Sequence, residues 1–344
     1  RFRAARRPLA VLVDDLRHLG SRDRYLLTHV AACAGDAPLL CLLTARTGDD
    51  LEWAGDLFEV HQVGPLHPDD VAEVLRRVAG ETLHDETIRR VVESSGGNPL
   101  FVIESARLLR DQGHFDDQPQ RRRRTRTITV PNGIRPLIVS RFEALAPLAQ
   151  RLLRLAAVAG DSITPELMEG IGAEAGELHD VVSELLEQGL LEPGESRGAL
   201  RFRHEIVREV VYDATIDPME RALLHQQVAE TLLRGADPEP PPELVAHHLL
   251  RAGQAGEAAG WHERAAAEHL AQQQYDEAAA HLRQAVHALE LAAAEAHDGG
   301  LEERRLDARI RLATVLNDTS YWDEAQQTAL AARGEAQRLG DLAQ

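Results

Sequence analysis

The hydrophobic period of this chain changes along its length. Residues 9 to 13, Leu-Ala-Val-Leu-Val, form an unbroken apolar run that ends on adjacent carboxylates, Asp14 and Asp15. A short run of this kind suits a central parallel strand covered on both faces. Ser21 is a helix-capping residue type, and Leu26, Leu27, Val30 and Ala34 follow it at helical spacing. Residues 39 to 43 predict a second strand, ending in Thr44-Ala45-Arg46, and residues 57 to 63 a weaker third. Strand, helix, strand in that order implies a parallel sheet. After Gly64-Pro65 the period becomes that of helices. Pro68-Asp69-Asp70 opens a helix carrying Val71, Val74, Leu75 and Val78, and a second carries Ile88, Val91 and Val92. Ser95-Gly96-Gly97-Asn98-Pro99 then breaks the chain and starts a third helix over residues 100 to 109.

Residues 116 to 131 predict a linker, with Arg121, Arg122, Arg123, Arg124 and Arg126 among its charges. Such a run is a solvated segment, or one that docks on an acidic face or a phosphate. Helices are expected around residues 137 to 145, 150 to 159 and 178 to 188, with a short one capped by Thr164 before Pro165-Glu166. Leu190-Leu191 and residues 200 to 202 flank Pro193-Gly194-Glu195-Ser196-Arg197-Gly198, which reads as a hairpin. Helices followed by such a hairpin make a winged helix. Further helices follow over residues 204 to 215 and 218 to 233, then a proline-rich hinge at 237 to 242. Beyond it the chain is alanine-rich and helical. Tyr275-Asp276-Glu277-Ala278 returns as Trp322-Asp323-Glu324-Ala325, 47 positions later. Paired helices with small residues at close-packing positions suggest a tetratricopeptide-like solenoid. The offset exceeds the usual ~34-residue period, and the segment through Asp298-Gly299-Gly300 is the expected insertion.

Composition narrows the functional classes. A length of 344 residues suits two to three domains, and 44% apolar content supports ordinary cores. A formal charge of −18 argues against nonspecific coating of nucleic acid. Cys33 and Cys41 form no metal pattern and read as small core residues of a reducing, cytoplasmic compartment. No apolar run approaches the ~20 residues of a membrane span. All 38 basic residues other than histidine are arginine, and no G-x-x-x-x-G-K-[ST] loop occurs. Because that loop lies upstream of the acidic strand in P-loop proteins, the chain reads as the C-terminal part of something longer. Carboxylates at the end of such a strand suit a Mg²⁺-nucleotide site, or simply an acidic turn.

Four short motifs occur in one order. Val11-Leu12-Val13-Asp14-Asp15 resembles a Walker B strand, and Leu42-Leu43-Thr44-Ala45-Arg46 resembles a sensor strand ending in arginine. Gly97-Asn98-Pro99-Leu100 resembles the G-x-P motif of a helical lid. Phe202-Arg203-His204-Glu205-Ile206-Val207-Arg208 resembles the Met-His-Asp motif that closes the winged helix of NLR-type proteins. Together they resemble STAND signal-transduction ATPases, above all the large bacterial LuxR-type transcriptional regulators. That resemblance implies a multidomain chain, α/β first and then mostly α. Residues 1–64 would be the C-terminal part of a P-loop NTPase sheet, 65–115 a helical lid, 132–235 a winged helix and 243–344 tetratricopeptide-like repeats. It departs where such regulators carry Asp-Asp-Leu-His-Trp-Ala-Asp: here Asp14-Asp15 is followed by Leu16-Arg17-His18-Leu19-Gly20, without the Trp or the last Asp. Glu205 also replaces the motif's Asp.

The resemblance implies roles. Asp14 would orient Mg²⁺ through water, Asp15 would activate the hydrolytic water, and Arg46 would reach the γ-phosphate of ATP. Gly97, Asn98 and Pro99 would form the lid's nucleotide-binding turn, with Pro99 near the adenine. His204 would donate to the β-phosphate of ADP and so couple nucleotide state to closure. Plainer readings are a helix-capping acid pair, a surface salt bridge, a loop with a helix start, and a junction histidine. The remaining histidines, His247, His248 and His262 among them, read as ordinary helix-face residues. Expected partners are nucleotide, an inducer or partner protein on the repeats, and further copies of the chain on activation. DNA is expected only through a domain outside this chain, since residues 177 to 188 offer Glu177, Asp180, Glu184 and Glu187 and no arginine. The expected activity is an ATPase-driven switch controlling transcription, this piece being inactive without its phosphate cradle. The alternative is a non-hydrolysing interaction scaffold built on the repeats.

Overall fold

The computed structural model describes residues 8–16, 19–34, 38–79, 83, 85–111, 133–160, 162–234, 240–295, 299–319 and 321–342. The arginine run at 121–126 lies outside the described residues, as do the side chain of Cys33 and residues 237–239 of the 237–242 hinge. Two compact units, Arg1–Pro65 and Leu66–Gln344, divide the chain.

In the first unit, β1 (Leu9–Val13) pairs in parallel with β2 (Leu39–Leu43), Leu12 beside Leu42. The crossover is α1 (Ser21–Ala34). Val11 and Val13 face Leu26, Leu27 and Val30 of α1 across a shallow cleft. The opposite face is bare: Leu12 is 71%, Leu40 63% and Leu42 54% exposed. The sequence had pointed to a strand covered on both faces, and one face is covered here. The third strand is absent as well. Glu52–Leu57 is a 3-10 turn interrupted by Gly55 (φ 51°), and residues 58–67 run on without regular structure. Phe58, Val60 and Val63 have strand propensity, but among the described residues no neighbouring strand supplies the ladder hydrogen bonds that fix one. Cys41 is a free, half-buried thiol.

The second unit begins with α2 (Pro68–Ala79), α3 (Asp85–Ser95) and α4 (Pro99–Asp111). Val71, Leu75, Ile88, Val91, Phe101 and Val102 form their core, into which Leu137 of α5 (Ile134–Glu143) also inserts. Helix α5 thereby belongs to two cores. Its other face, with Ile138 and Phe142, enters the larger core built from α6 (Pro147–Ala159), α7 (Pro165–Glu169) and α8 (Ala175–Glu187). The hairpin is formed by β3 (Leu191–Pro193) and β4 (Leu200–Phe202), Leu191 opposite Phe202. α9 (Glu205–Thr215) and α10 (Pro218–Arg234) complete this middle bundle.

From α11 (Pro242–Arg251) onward each helix packs on the next: α12 (Ala255–Ala271), α13 (Tyr275–Glu295), α14 (Gly299–Asp318) and α15 (Trp322–Leu342). Buried alanines, including Ala259, Ala279, Ala285 and Ala308, let the backbones approach. The two Asp-Glu-Ala segments open α13 and α15, each after a helix of its own pair. The long offset has a simpler origin than an insertion: α13 and α14 are 21 and 20 residues long, so each pair is longer.

Candidate functional site

The strand ends of the first unit carry a connected polar cluster. Thr44, one residue beyond β2, donates its hydroxyl to an Oδ1 oxygen of Asp14, one residue beyond β1. The Thr44 hydroxyl also accepts from the Asp15 backbone N–H at 2.9 Å. Thr44 N donates to Val13 O and Leu16 N to Thr44 O, so the ladder continues one residue past the strands. Asp15 itself adopts φ +57°, a left-handed conformation that Asp tolerates better than most residues. That turn swings its carboxylate to Arg46, whose guanidinium lies 3.3 Å away. The Arg46 backbone N–H is in turn held by Asp49 at 2.7 Å. Asp14, Asp15 and Arg46, the sequence's three candidates here, therefore meet, and Thr44 is the residue the sequence reading missed. Its signal was present: a hydroxyl at the end of a parallel strand beside an acidic one.

The cluster fits part of a Mg²⁺-nucleotide site. Carboxylates and a hydroxyl are the hard oxygen donors Mg²⁺ takes, largely through retained waters. A phosphate cradle is not among these 344 residues, which contain neither the glycine-rich loop nor any lysine. Among the described residues, no group of three or more His, Cys, Asp or Glu could hold a metal ion by itself.

The remaining candidates lie in the second unit. Gly97 (φ +75°) makes a tight turn before α4, its N–H donating to Ser95 Oγ and its carbonyl accepting from Leu66 N. A side chain at that φ would be strained. The Asn98 side chain caps α4, accepting from the backbone N–H groups of Leu100 (2.9 Å) and Phe101 (3.4 Å). Its carboxamide oxygen is thus engaged, and Pro99 occupies the first helical position. His204 stands at the N-cap of α9 without a capping hydrogen bond from its side chain. Burial, then the positive charges of Arg203 and Arg107, push its pKa down from the usual histidine value, with Glu192 opposing. Its surroundings thereby favour the neutral imidazole. Arg107 belongs to α4, eight residues beyond Pro99, about 12 Å along the helix axis. One helix therefore carries the Gly-Asn-Pro turn at its start and a neighbour of His204 two turns on.

That same stretch holds a buried charge cluster the sequence reading passed over. Glu104 of α4 pairs with Arg107 at 2.9 Å and closely with Arg141 of α5. Arg141 also donates to Gln188 O at the end of α8. Desolvation pulls the Arg141 pKa down to about 10. The Arg107 guanidinium lies against Gly189 (φ +66°), where an added Cβ would come within 2.7 Å of it. Glu104 was detectable as the lone charge among Phe101, Val102, Ile103 and Ala106. Its partner on α5 was not.

This is a mostly helical protein with a small parallel sheet and C-terminal helical repeats. Its fold is similar to that of a solved STAND (signal transduction ATPase with numerous domains) protein with a tetratricopeptide repeat sensor from Pyrococcus horikoshii. The TM-score is 0.51, at 13% identity over 96% of this chain and 50% of that one. The chain thus spans about half the length of that protein, and at this identity the likeness is one of fold. No family model matches the sequence, and no curated protein matches it either. No helix among the described residues is long and apolar enough to cross a membrane.

Proposed function

We propose that this chain is part of a nucleotide-operated signalling switch of the STAND class, of the LuxR-type group that controls transcription. The observation that carries the reading is the Asp14–Thr44–Asp15–Arg46 cluster at the C-terminal ends of β1 and β2. In open α/β sheets ligands bind there. In this reading Asp14 and Thr44 orient a hydrated Mg²⁺, Asp15 polarises a water, and Arg46 leaves its pair with Asp15 for the terminal phosphate. Mg²⁺ bound there would neutralise phosphate charge. A glycine-rich phosphate loop, which this reading calls for, is not among these 344 residues. The hairpin-bearing middle bundle is the winged helix, and neutral His204, a donor through one ring nitrogen, senses the diphosphate. ADP holds the closed form. ATP exchange, together with an inducer on the helical repeats, opens it for self-assembly. The segments match residues 1–64, 65–115, 132–235 and 243–344.

The test is calorimetric titration of the full-length gene product with ADP and ATP in the presence of Mg²⁺. His204→Ala removes one hydrogen bond to a charged group, about 1.5–3 kcal/mol, or about 10- to 150-fold in ADP affinity. ADP affinity unchanged in both His204→Ala and Arg46→Ala would overturn the reading. A second reading, a partner platform that does not hydrolyse nucleotide, is favoured by the pairing of Asp15 with Arg46. A carboxylate held by a guanidinium is already occupied at that oxygen. No nucleotide binding together with tight partner binding through residues 243–344 would favour it.

A further inference from the structure

Helices α9 to α13 bring together a run of imidazoles that the nucleotide reading does not use; His225, His248 and His262 are buried, His269 and His281 half-buried, and His247 exposed. The Tyr212 hydroxyl of α9 lies 3.1 Å from His225 Nε2 on α10. On its other side His225 Nδ1 lies 2.9 Å from His248 Nδ1 on α11. His247 stacks its edge against both rings, 5.8 Å from the His225 centroid and 5.3 Å from that of His248. A second group follows one helix pair on. His262 Nδ1 of α12 is 3.3 Å from His281 Nδ1 of α13, and His281 stacks on His269. His269 Nδ1 then meets Gln274 Oε1 at 2.6 Å. His225 and His248 are each 1% exposed.

Two nitrogens of the same kind at 2.9 Å fix the proton count. Only one of the pair carries a hydrogen, which it donates to the bare nitrogen of the other. In the neutral pair every contact is satisfied in either of two ways: Tyr212 donates to His225 Nε2 and His225 Nδ1–H to His248, or His248 Nδ1–H donates to His225 Nδ1 and His225 Nε2–H to the Tyr212 hydroxyl. A first proton can enter at an outer ring nitrogen and leave the Nδ1–Nδ1 bond in place, the Tyr212 hydroxyl then accepting from His225; charging both rings puts two N–H groups face to face and breaks the bond that joins α10 to α11. The surroundings do not compensate. Arg221 lies over the Tyr212 ring at 4.2 Å and Arg251 lies beyond His247, so the charged groups facing His225 are cationic. In the second group, Glu243 of α11 is a carboxylate that faces His281 and favours its charged form. His247 faces His262 and joins the two groups electrostatically.

We propose that this imidazole array is a proton-sensitive latch between the middle bundle and the helical repeats: neutral, it closes α10 onto α11, and on charging it releases them. The proposal goes beyond the nucleotide reading and stands without it. Burial is the first cause that lowers the titration of His225 to about 3 and of His248 and His262 to about 4. A depressed histidine stabilises the closed form fully above its unfolded value, near 6.5. That stability is lost as pH falls from there toward the folded value. At pH 5, releasing one such histidine from about 4 to 6.5 shifts the opening equilibrium by about thirtyfold.

Hydrogen–deuterium exchange on the whole chain from pH 7 to 4.5, corrected for intrinsic rates, tests this. Peptides from α10 and α11 are expected to lose protection below pH 6, ahead of those from α2 to α4. The double variant His225→Gln, His248→Gln keeps polar groups that take up no proton and should flatten the α10–α11 response. Loss of protection at one common pH across all these helices, or an unflattened response in the double variant, would overturn the latch. Should the double variant not fold, histidine ring-proton NMR of the unmutated chain decides. His225 and His248 titrating near 6.5 while α10 and α11 stay protected would equally overturn it.

Discussion

Asp15 and Glu104 each meet an arginine, in opposite surroundings. At the strand ends the Asp15 side chain is 25% exposed and that of Arg46 51%. Between α4 and α5 the Glu104 side chain is 1% exposed and that of Arg141 3%. The chemistry of the pairs is nearly the same, and their consequences differ because water differs. An exposed pair gains little from its attraction and exchanges partners readily, as the proposed transfer of Arg46 to a phosphate requires. A buried pair gains little over an apolar contact but is costly to break, since the surviving charge is stranded. The first pair lies open to solvent at the strand ends; the second fixes how α4 meets α5. The scaffolds match this division. The β1–β2 sheet leaves Leu12 and Leu40 in water, whereas the middle bundle closes over Leu152, Leu153, Leu155 and Leu185.

Breaking the buried pair should give the largest effect. Glu104→Ala strands Arg141, and urea denaturation should show a loss of about 3–5 kcal/mol. The sharper version is Glu104→Leu combined with Arg141→Met, which should recover most of that loss. Leu185→Ala, in the middle core, should cost about 2–5 kcal/mol in the same measurement. Gly189→Ala meets both a positive φ and the Arg107 guanidinium, and about 1–3 kcal/mol is expected, read as a lowered melting temperature. At the strand ends Arg46→Ala should change stability by less than about 1 kcal/mol while changing nucleotide affinity in the full-length protein. Leu12→Ala, on the bare sheet face, should stay within about 0.5 kcal/mol. Comparable losses from Leu12→Ala and Leu185→Ala would erase the contrast between the two scaffolds.

Much of the helical plan was legible in the sequence because helices are local. The 3.6-residue spacing of Val71, Val74, Leu75 and Val78 returns as α2, and the turn-rich segment from Pro193 to Gly198 returns as the tip of the β3–β4 hairpin. Asp14, Asp15 and Arg46 were legible as a group because strand ends are where a parallel sheet gathers polar residues. Residues 57 to 63 were misread, since propensity alone does not make a strand without a neighbour to bond. The Glu104–Arg141 pair and the histidine array were invisible for a related reason. Their members lie 37 and 23 residues apart (141 − 104 and 248 − 225), and nothing in the local pattern says which helix faces meet.

Period, capping residues and strand-end acids, all short-range properties, thus marked by sequence alone most of the helices, both paired strands of the first unit and the place where its polar residues collect. Tertiary structure alone decided which charges lose their water. His248 reads in sequence as an ordinary helix-face residue, yet packing leaves it, with Glu104 and His225, almost without solvent. A group's ionisation, and what it costs to disturb it, depends on the dielectric around it rather than on its neighbours in the chain.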